Sequence, residues 1–187
     1  RWGWAYQILP YLEQTAIYSN TSDNDAATKI VRTYICPGRQ RPPTFSSTGT
    51  GLPSDGTLVA VIDYAGNGGS GRNSYNAGSQ PVNDDDGFML NKAGEITRLK
   101  ATMVPDGLSQ TFAVAEKCVR PSGYGTAGNA DQKGWAGGYD RPRMRWSRRQ
   151  PMQDYDWTTG TYVTYNTYIH FGSAHSNNFH AAFGAGS

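Results

Sequence analysis

A chain of 187 residues with 37% hydrophobic side chains, 23 Gly and 10 Pro suits one domain, but one too rich in turns for a tightly wound α/β enzyme core. Its 17 basic and 15 acidic residues nearly cancel, which excludes the strongly basic surface that a polyanion partner such as nucleic acid selects. No run of about 18 apolar residues is present to cross a membrane.

Residues 2–18 (WGWAYQILPYLEQTAIY) predict a helix with Trp4, Ile8, Leu12 and Ala16 on one face and Tyr11 beside them. Pro10 must kink that helix or start a second one. After a polar turn, Asp23 or Asp25 is placed to cap a short helix running to Ile30. Val31 to Cys36 is β-rich and is stopped by Pro37-Gly38. A Pro-, Ser-, Thr- and Gly-rich loop at 39–56 leads to a strand at 57–64, then to a long Gly-rich loop at 65–87. Strands are expected at 88–90 and 111–119, a strand or short helix at 96–103, and strands at 135–146 and 162–171. An Asn-rich turn at 173–178, followed by alternation through Phe183, predicts a C-terminal hairpin. Helices segregated ahead of antiparallel strands give an α+β class: one domain over 1–187, mainly helical over 1–33 and β-rich over 34–187.

Five blocks, in order, resemble a pilin-like bacterial family of unknown function. They are Gly3-Trp4-Ala5 with Ile8-Leu9-Pro10-Tyr11-Leu12-Glu13-Gln14; Tyr34-Ile35-Cys36-Pro37; Asp63-Tyr64-Ala65-Gly66-Asn67; Asp106-Gly107-Leu108-Ser109-Gln110-Thr111 with Ala115-Glu116-Lys117; and a C-terminal His-x9-Asp-Gly signature. Here His175 and Gly186 fill that signature and Ala185 replaces its Asp. Gly38-Arg39 and Gln110 also depart from the family pattern. The resemblance implies a pilin or pseudopilin layout, with a prepilin-type apolar helix upstream and this chain as the globular head. It further implies a place outside the cytoplasm, at the cell surface, in a filament or in the periplasm, with membrane contact only through the upstream helix.

Asp84, Asp85 and Asp86, with Asn83 and Gly87, offer hard oxygen donors on a sharp turn, as Ca²⁺ prefers, although without EF-hand spacing. Arg141, Arg143 and Arg145 alternate and would share one strand face, pairing with acidic residues of a neighbouring subunit or with an anionic glycan. Trp4, Ile8 and Leu12 form the apolar face that docks the N-terminal segment, and the Tyr and Trp surplus suits either sugar stacking or interface anchoring. Cys36 and Cys118 are open to two readings, one long-range disulfide or two buried thiols. Glu116, if turned inward, needs an Arg or backbone N–H partner. His170, His175 and His180, five residues apart, lack an evident third ligand, so His175 reads as a turn-bonding residue. No nucleophile elbow, phosphate loop or dinucleotide fingerprint is present, and no enzymatic activity is expected. The leading expectation is a self-assembling, pilin-like or pseudopilin-like filament subunit whose partners are copies of itself or related subunits. The alternative is an extracytoplasmic glycan- or protein-binding module stabilised by calcium.

Overall fold

The computed structural model describes residues 2–49, 51–70, 87–92, 95–97, 101–126, 131–138, 143–147, 150–154 and 170–186. The α-helices come first: α1 (Trp4–Gln7), α2 (Thr15–Tyr18) and α3 (Asp23–Thr28). The long helix expected over 2–18 is broken into three pieces. Pro10 sits in the first turn of a 3₁₀ helix, Leu9–Leu12, where its missing N–H costs nothing, and Glu13 ends that turn in a left-handed conformation at φ 60°. Ser22, rather than either Asp, caps α3 by accepting from the Asp25 N–H; Asp23 and Asp25 lie in the first turn, where the helix dipole favours them. The β-rich stretch 31–36 opens as a 3₁₀ turn at Arg32–Tyr34. None of the described helices is long and apolar enough to cross a membrane.

The strands follow the helices, so the described residues are α+β. They are β1 (Thr44–Ser46), β2 (Leu58–Ala60), β3 (Tyr64–Asn67), β4 (Leu90–Lys92), β5 (Glu95–Thr97), β6 (Phe112–Glu116), β7 (Met144–Arg145), β8 (Met152–Gln153), β9 (Gly172–Ser173) and β10 (Ala181–Phe183). The expected strand over 57–64 is split by an extended break at 61–63. Among the described residues one four-stranded sheet has the order β10-β6-β3-β7. β6 is antiparallel to both neighbours, with Ala65 opposite Ala115 on one side and Ala181 opposite Ala115 on the other, whereas β7 runs parallel to β3. β8 and β9 form a separate parallel pair.

The expected C-terminal hairpin is absent among the described residues, and its replacement matters. Phe171 bridges Lys117 and Ala181 pairs with Ala115, so both flanks of the 172–180 segment line the same edge of β6 instead of pairing with each other. The segment between them loops out and returns, which carries His175 over the end of β6.

The core joins the two parts. Trp4, Leu9, Val31, Tyr34, Phe45, Val59, Ile62, Trp135 and Trp146 form one buried cluster, with Ile8 and Leu12 packed against it. Trp2 stacks on Tyr6 at 4.3 Å and on Trp135 at 5.7 Å, and the backbone N–H of Gly3 donates to the Gly137 carbonyl at 3.0 Å. The buried indoles find partners: Trp4 Nε1 donates to Arg143 O at 2.9 Å and Trp135 Nε1 to Lys29 O at 3.0 Å. Among the described residues, Trp4, Tyr34, Trp135 and Trp146 are therefore interior.

Candidate functional site

Two buried polar clusters meet where β6 ends. In the first, six charged side chains alternate in sign: Asp154, Arg39, Asp63, Arg41, Asp131 and Lys117. Arg39 Nε reaches Asp154 at 2.8 Å and its Nη1 reaches Asp63 at 2.7 Å. Arg41 pairs with Asp63 and, at 2.5 Å, with Asp131, which accepts from Lys117 Nζ at 2.9 Å. All six side chains are at most 2% exposed. The remaining carboxylate oxygens are also bonded, while Arg41 Nε has no hydrogen-bond partner. The Cys36 N–H donates to Asp63 Oδ2, the Val119 N–H to Asp154 Oδ1, the Tyr124 hydroxyl to Asp154 Oδ2, and Arg39 Nη2 to the Lys117 carbonyl. Burial alone would raise the Asp131 carboxyl; Arg41 and then Lys117 overturn that and hold it well below the usual carboxylate range. Burial also dominates at Lys117, lowering it to about 7 against the opposing pull of Asp131. The two partners thus differ in how firmly they stay charged. Asp131 remains ionised because Arg41 stays cationic whatever Lys117 does.

The second cluster lies beside the first. Glu116, the last residue of β6, is wholly buried; its Oε2 accepts from the His180 N–H at 2.7 Å and lies 3.2 Å from His180 Nδ1. Its Oε1 has no hydrogen-bond partner. His175 Nε2 is 3.6 Å from that oxygen and 3.5 Å from Cys36 Sγ. One donor atom each from Cys36, Glu116 and His175 falls within 4.8 Å of the other two. The turn presents the imidazole deliberately: His175 N–H donates to Ser173 Oγ, whose hydroxyl donates to Asn178 O. Gly38 leaves it room, since a Cβ there would stand 2.6 Å from His175 Cε1. Burial first, and Glu116 second, push the Cys36 thiol up to about 11.

A family model described as a protein of unknown function (DUF1559) matches residues 1–187. The chain belongs to that bacterial family. No curated protein and no solved structure matches it.

Within this DUF1559 chain the residues singled out by sequence fall into distinct places. Trp4 is buried in the core, with Ile8 and Leu12 packed against it. Cys36 and Cys118 are buried free thiols, so the disulfide reading is corrected: Cys36 faces His175, while Cys118 Sγ points to the Gln153 carbonyl at 3.8 Å. Arg143 and Arg145 do not form a basic surface either, being 1% and 0% exposed. They turn inward and bond backbone carbonyls. Arg143 donates to Gly138 O and Gly134 O, with Gly137 giving its guanidinium space, and Arg145 donates to His170 O and Met144 O. Arg141 and the acidic loop Asp84, Asp85 and Asp86, with its calcium reading, lie outside the described residues. Glu116 does turn inward, but its partners are a backbone N–H and two histidines instead of Arg. His175 and His180 have ring centroids 5.1 Å apart, and Cys36 and Glu116 place donor atoms beside His175. Sequence reading passed over Arg39, Arg41, Lys117, Asp131 and Asp154 as members of a buried chain of charges. The available signal was a cluster of Arg beside Pro and Gly at 37–43, in a loop too polar to be buried without partners.

Proposed function

We propose that this chain is the globular head of an extracytoplasmic, pilin-like or pseudopilin-like structural subunit, whose partners are further copies of itself or related subunits. The observation that carries the reading is how the interior charge is used. Six buried ionic groups are paired with one another and not aimed into a cleft, an arrangement suited to a rigid building block more than to acid–base chemistry. The N-terminal segment is fastened to the head by the stack of Trp2, Tyr6 and Trp135, while Tyr11 projects from it with 86% of its surface exposed. An aromatic held out on an anchored segment is a natural contact for a neighbouring subunit. In producing cells, the mature protein is expected to carry an apolar helix of roughly 20 residues upstream of Arg1, by intact-mass and N-terminal analysis. A photo-crosslinker at Tyr11 of that full-length protein is expected to give a ladder of multimers. A mature chain without the helix, and crosslinks to no second copy, would overturn the filament reading.

One observation favours the alternative of a binding module. A surface cleft of about 220 Å³ is lined by Met152, Gln153, Ser173, His175, Asn178 and Phe179. Neutral hydrogen-bonding groups beside one aromatic ring suit an uncharged glycan or a peptide. Glycan-array binding lost on Phe179→Ala would move this reading to first place.

A further inference from the structure

We infer that Cys36, Glu116 and His175 form a binding site for a divalent transition metal of the zinc class, with its fourth coordination position open to solvent on the His175 side. The inference stands apart from the filament reading, since it rests on side-chain geometry alone.

Thiolate, carboxylate and imidazole together are a donor set that selects zinc-like ions over Ca²⁺ or Mg²⁺, which prefer all-oxygen shells. Bonds of about 2.0 Å to nitrogen or oxygen and about 2.3 Å to sulfur, at tetrahedral angles, put neighbouring donors about 3.3–3.6 Å apart. The two separations that involve His175 Nε2 are 3.5 Å to Cys36 Sγ and 3.6 Å to Glu116 Oε1, so these two edges of the tetrahedron already stand near their bonded length. An ion at the centre would also answer the vacancy that most needs explaining. Glu116 is 0% exposed, yet its Oε1 has no hydrogen-bond partner, although a buried carboxylate oxygen left alone is costly.

The same three residue types could form a nucleophilic triad, but the geometry argues against it. In a triad the acid and the nucleophile use opposite imidazole nitrogens. Here both approach Nε2. Cys36 is also wholly buried with a thiol made harder to ionise, the reverse of an activated nucleophile.

The surroundings hold each donor in place, as a metal site requires. The Cys36 N–H is tied to Asp63, the second oxygen of Glu116 is held by His180, and His175 is set by Ser173 and accommodated by Gly38. On binding, the Cys36 proton leaves to solvent, Glu116 supplies a carboxylate and His175 a neutral imidazole. His175 retains 29% side-chain exposure and lines the cleft at 172–179, which leaves the fourth position reachable from outside.

The test is titration of the full chain, stripped by chelator, with Zn²⁺ against a chromophoric competitor, and in parallel with Co²⁺ followed by absorbance. The expected result is about one equivalent of Zn²⁺ per chain, with affinity lowered at least about tenfold in His175→Ala, Glu116→Gln and Cys36→Ser. The Co²⁺ form should show a sulfur-to-metal charge-transfer band that disappears in Cys36→Ser. Gly38→Ala removes no donor but displaces His175, and should weaken Zn²⁺ as well; this variant keeps the test decisive if a ligand variant fails to fold. Zn²⁺ binding that is absent, or is unchanged in both His175→Ala and Gly38→Ala, would overturn the site.

Discussion

Glu116 and Lys117 are consecutive residues that turn opposite ways at the end of β6, and each enters a different buried polar cluster. On the Lys117 side, three cations and three carboxylates alternate, and backbone groups and Tyr124 bond the remaining carboxylate oxygens, leaving Arg41 Nε without a hydrogen bond. On the Glu116 side, a carboxylate oxygen lies between Cys36 and His175, 3.6 Å from His175 Nε2 and without a hydrogen-bond partner. In the first cluster every carboxylate oxygen is bonded by protein atoms; in the second, Glu116 Oε1 is not. A buried carboxylate repays its desolvation only when both oxygens are partnered, so the contrast between the carboxylates separates a device that holds the fold from one shaped for something else.

The largest effect should come from cutting the chain of ion pairs at its middle. Asp63→Ala leaves Arg39 and Arg41 short of a counter-charge in a dry interior and is expected to cost about 3–5 kcal/mol, measured by chemical denaturation. A loss near zero would show that water reaches the cluster. Acid should act next. Asp131 has a folded pKa held below its ordinary value of 3.8, so its contribution is present above that value and is lost as pH falls from there through the folded pKa. The stability of the wild-type protein should therefore drop steeply below about pH 4, and Asp131→Asn, already weakened at neutral pH, should show a flatter acid limb in pH-resolved melting. An identical acid limb in the two proteins would break the assignment.

At the edge of the same chain, Tyr124→Phe removes one hydrogen bond to Asp154 and should cost about 1 kcal/mol. The smallest effect belongs to the other cluster. Without metal, Glu116→Gln should change stability by less than about 1 kcal/mol, because it replaces a charge that is only half satisfied while an oxygen remains for the His180 N–H. The same variant should abolish the rise in melting temperature that Zn²⁺ gives the wild type. His180→Ala, which removes the imidazole beside the second carboxylate oxygen and against the His175 ring, should weaken Zn²⁺ on the order of tenfold. A metal-free Glu116→Gln protein as unstable as Asp63→Ala would erase the distinction between the clusters.

Much of the architecture was legible in the sequence because it depends on local patterning. The helix-first, strand-later order and a strand within 111–119, found at Phe112–Glu116, follow from short-range periodicity. Pro10 announced a break in the first helix, and the structure shows a 3₁₀ turn begun there. The basic stripe misled because alternation reports that residues share a face, not which face is dry. Arg143 and Arg145 are buried, donating to the loop carbonyls of Gly138 and His170. The C-terminal hairpin misled for a related reason: an Asn-rich turn between alternating runs fixes a reversal, but among the described residues both flanks meet β6, Phe171 at Lys117 and Ala181 at Ala115.

By itself, then, the sequence determined the family, the α+β order and the blocks that hold Cys36, Glu116 and His175, since each of those is written in contiguous residues. Only the tertiary structure decided that these blocks converge. Cys36 and His175 stand 139 positions apart, and Arg39 and Asp154 stand 115 apart. Ion pairs and metal–donor bonds act over about 3 Å through space, so their partners are chosen by how the sheet and its looping edge pack, which no local pattern records.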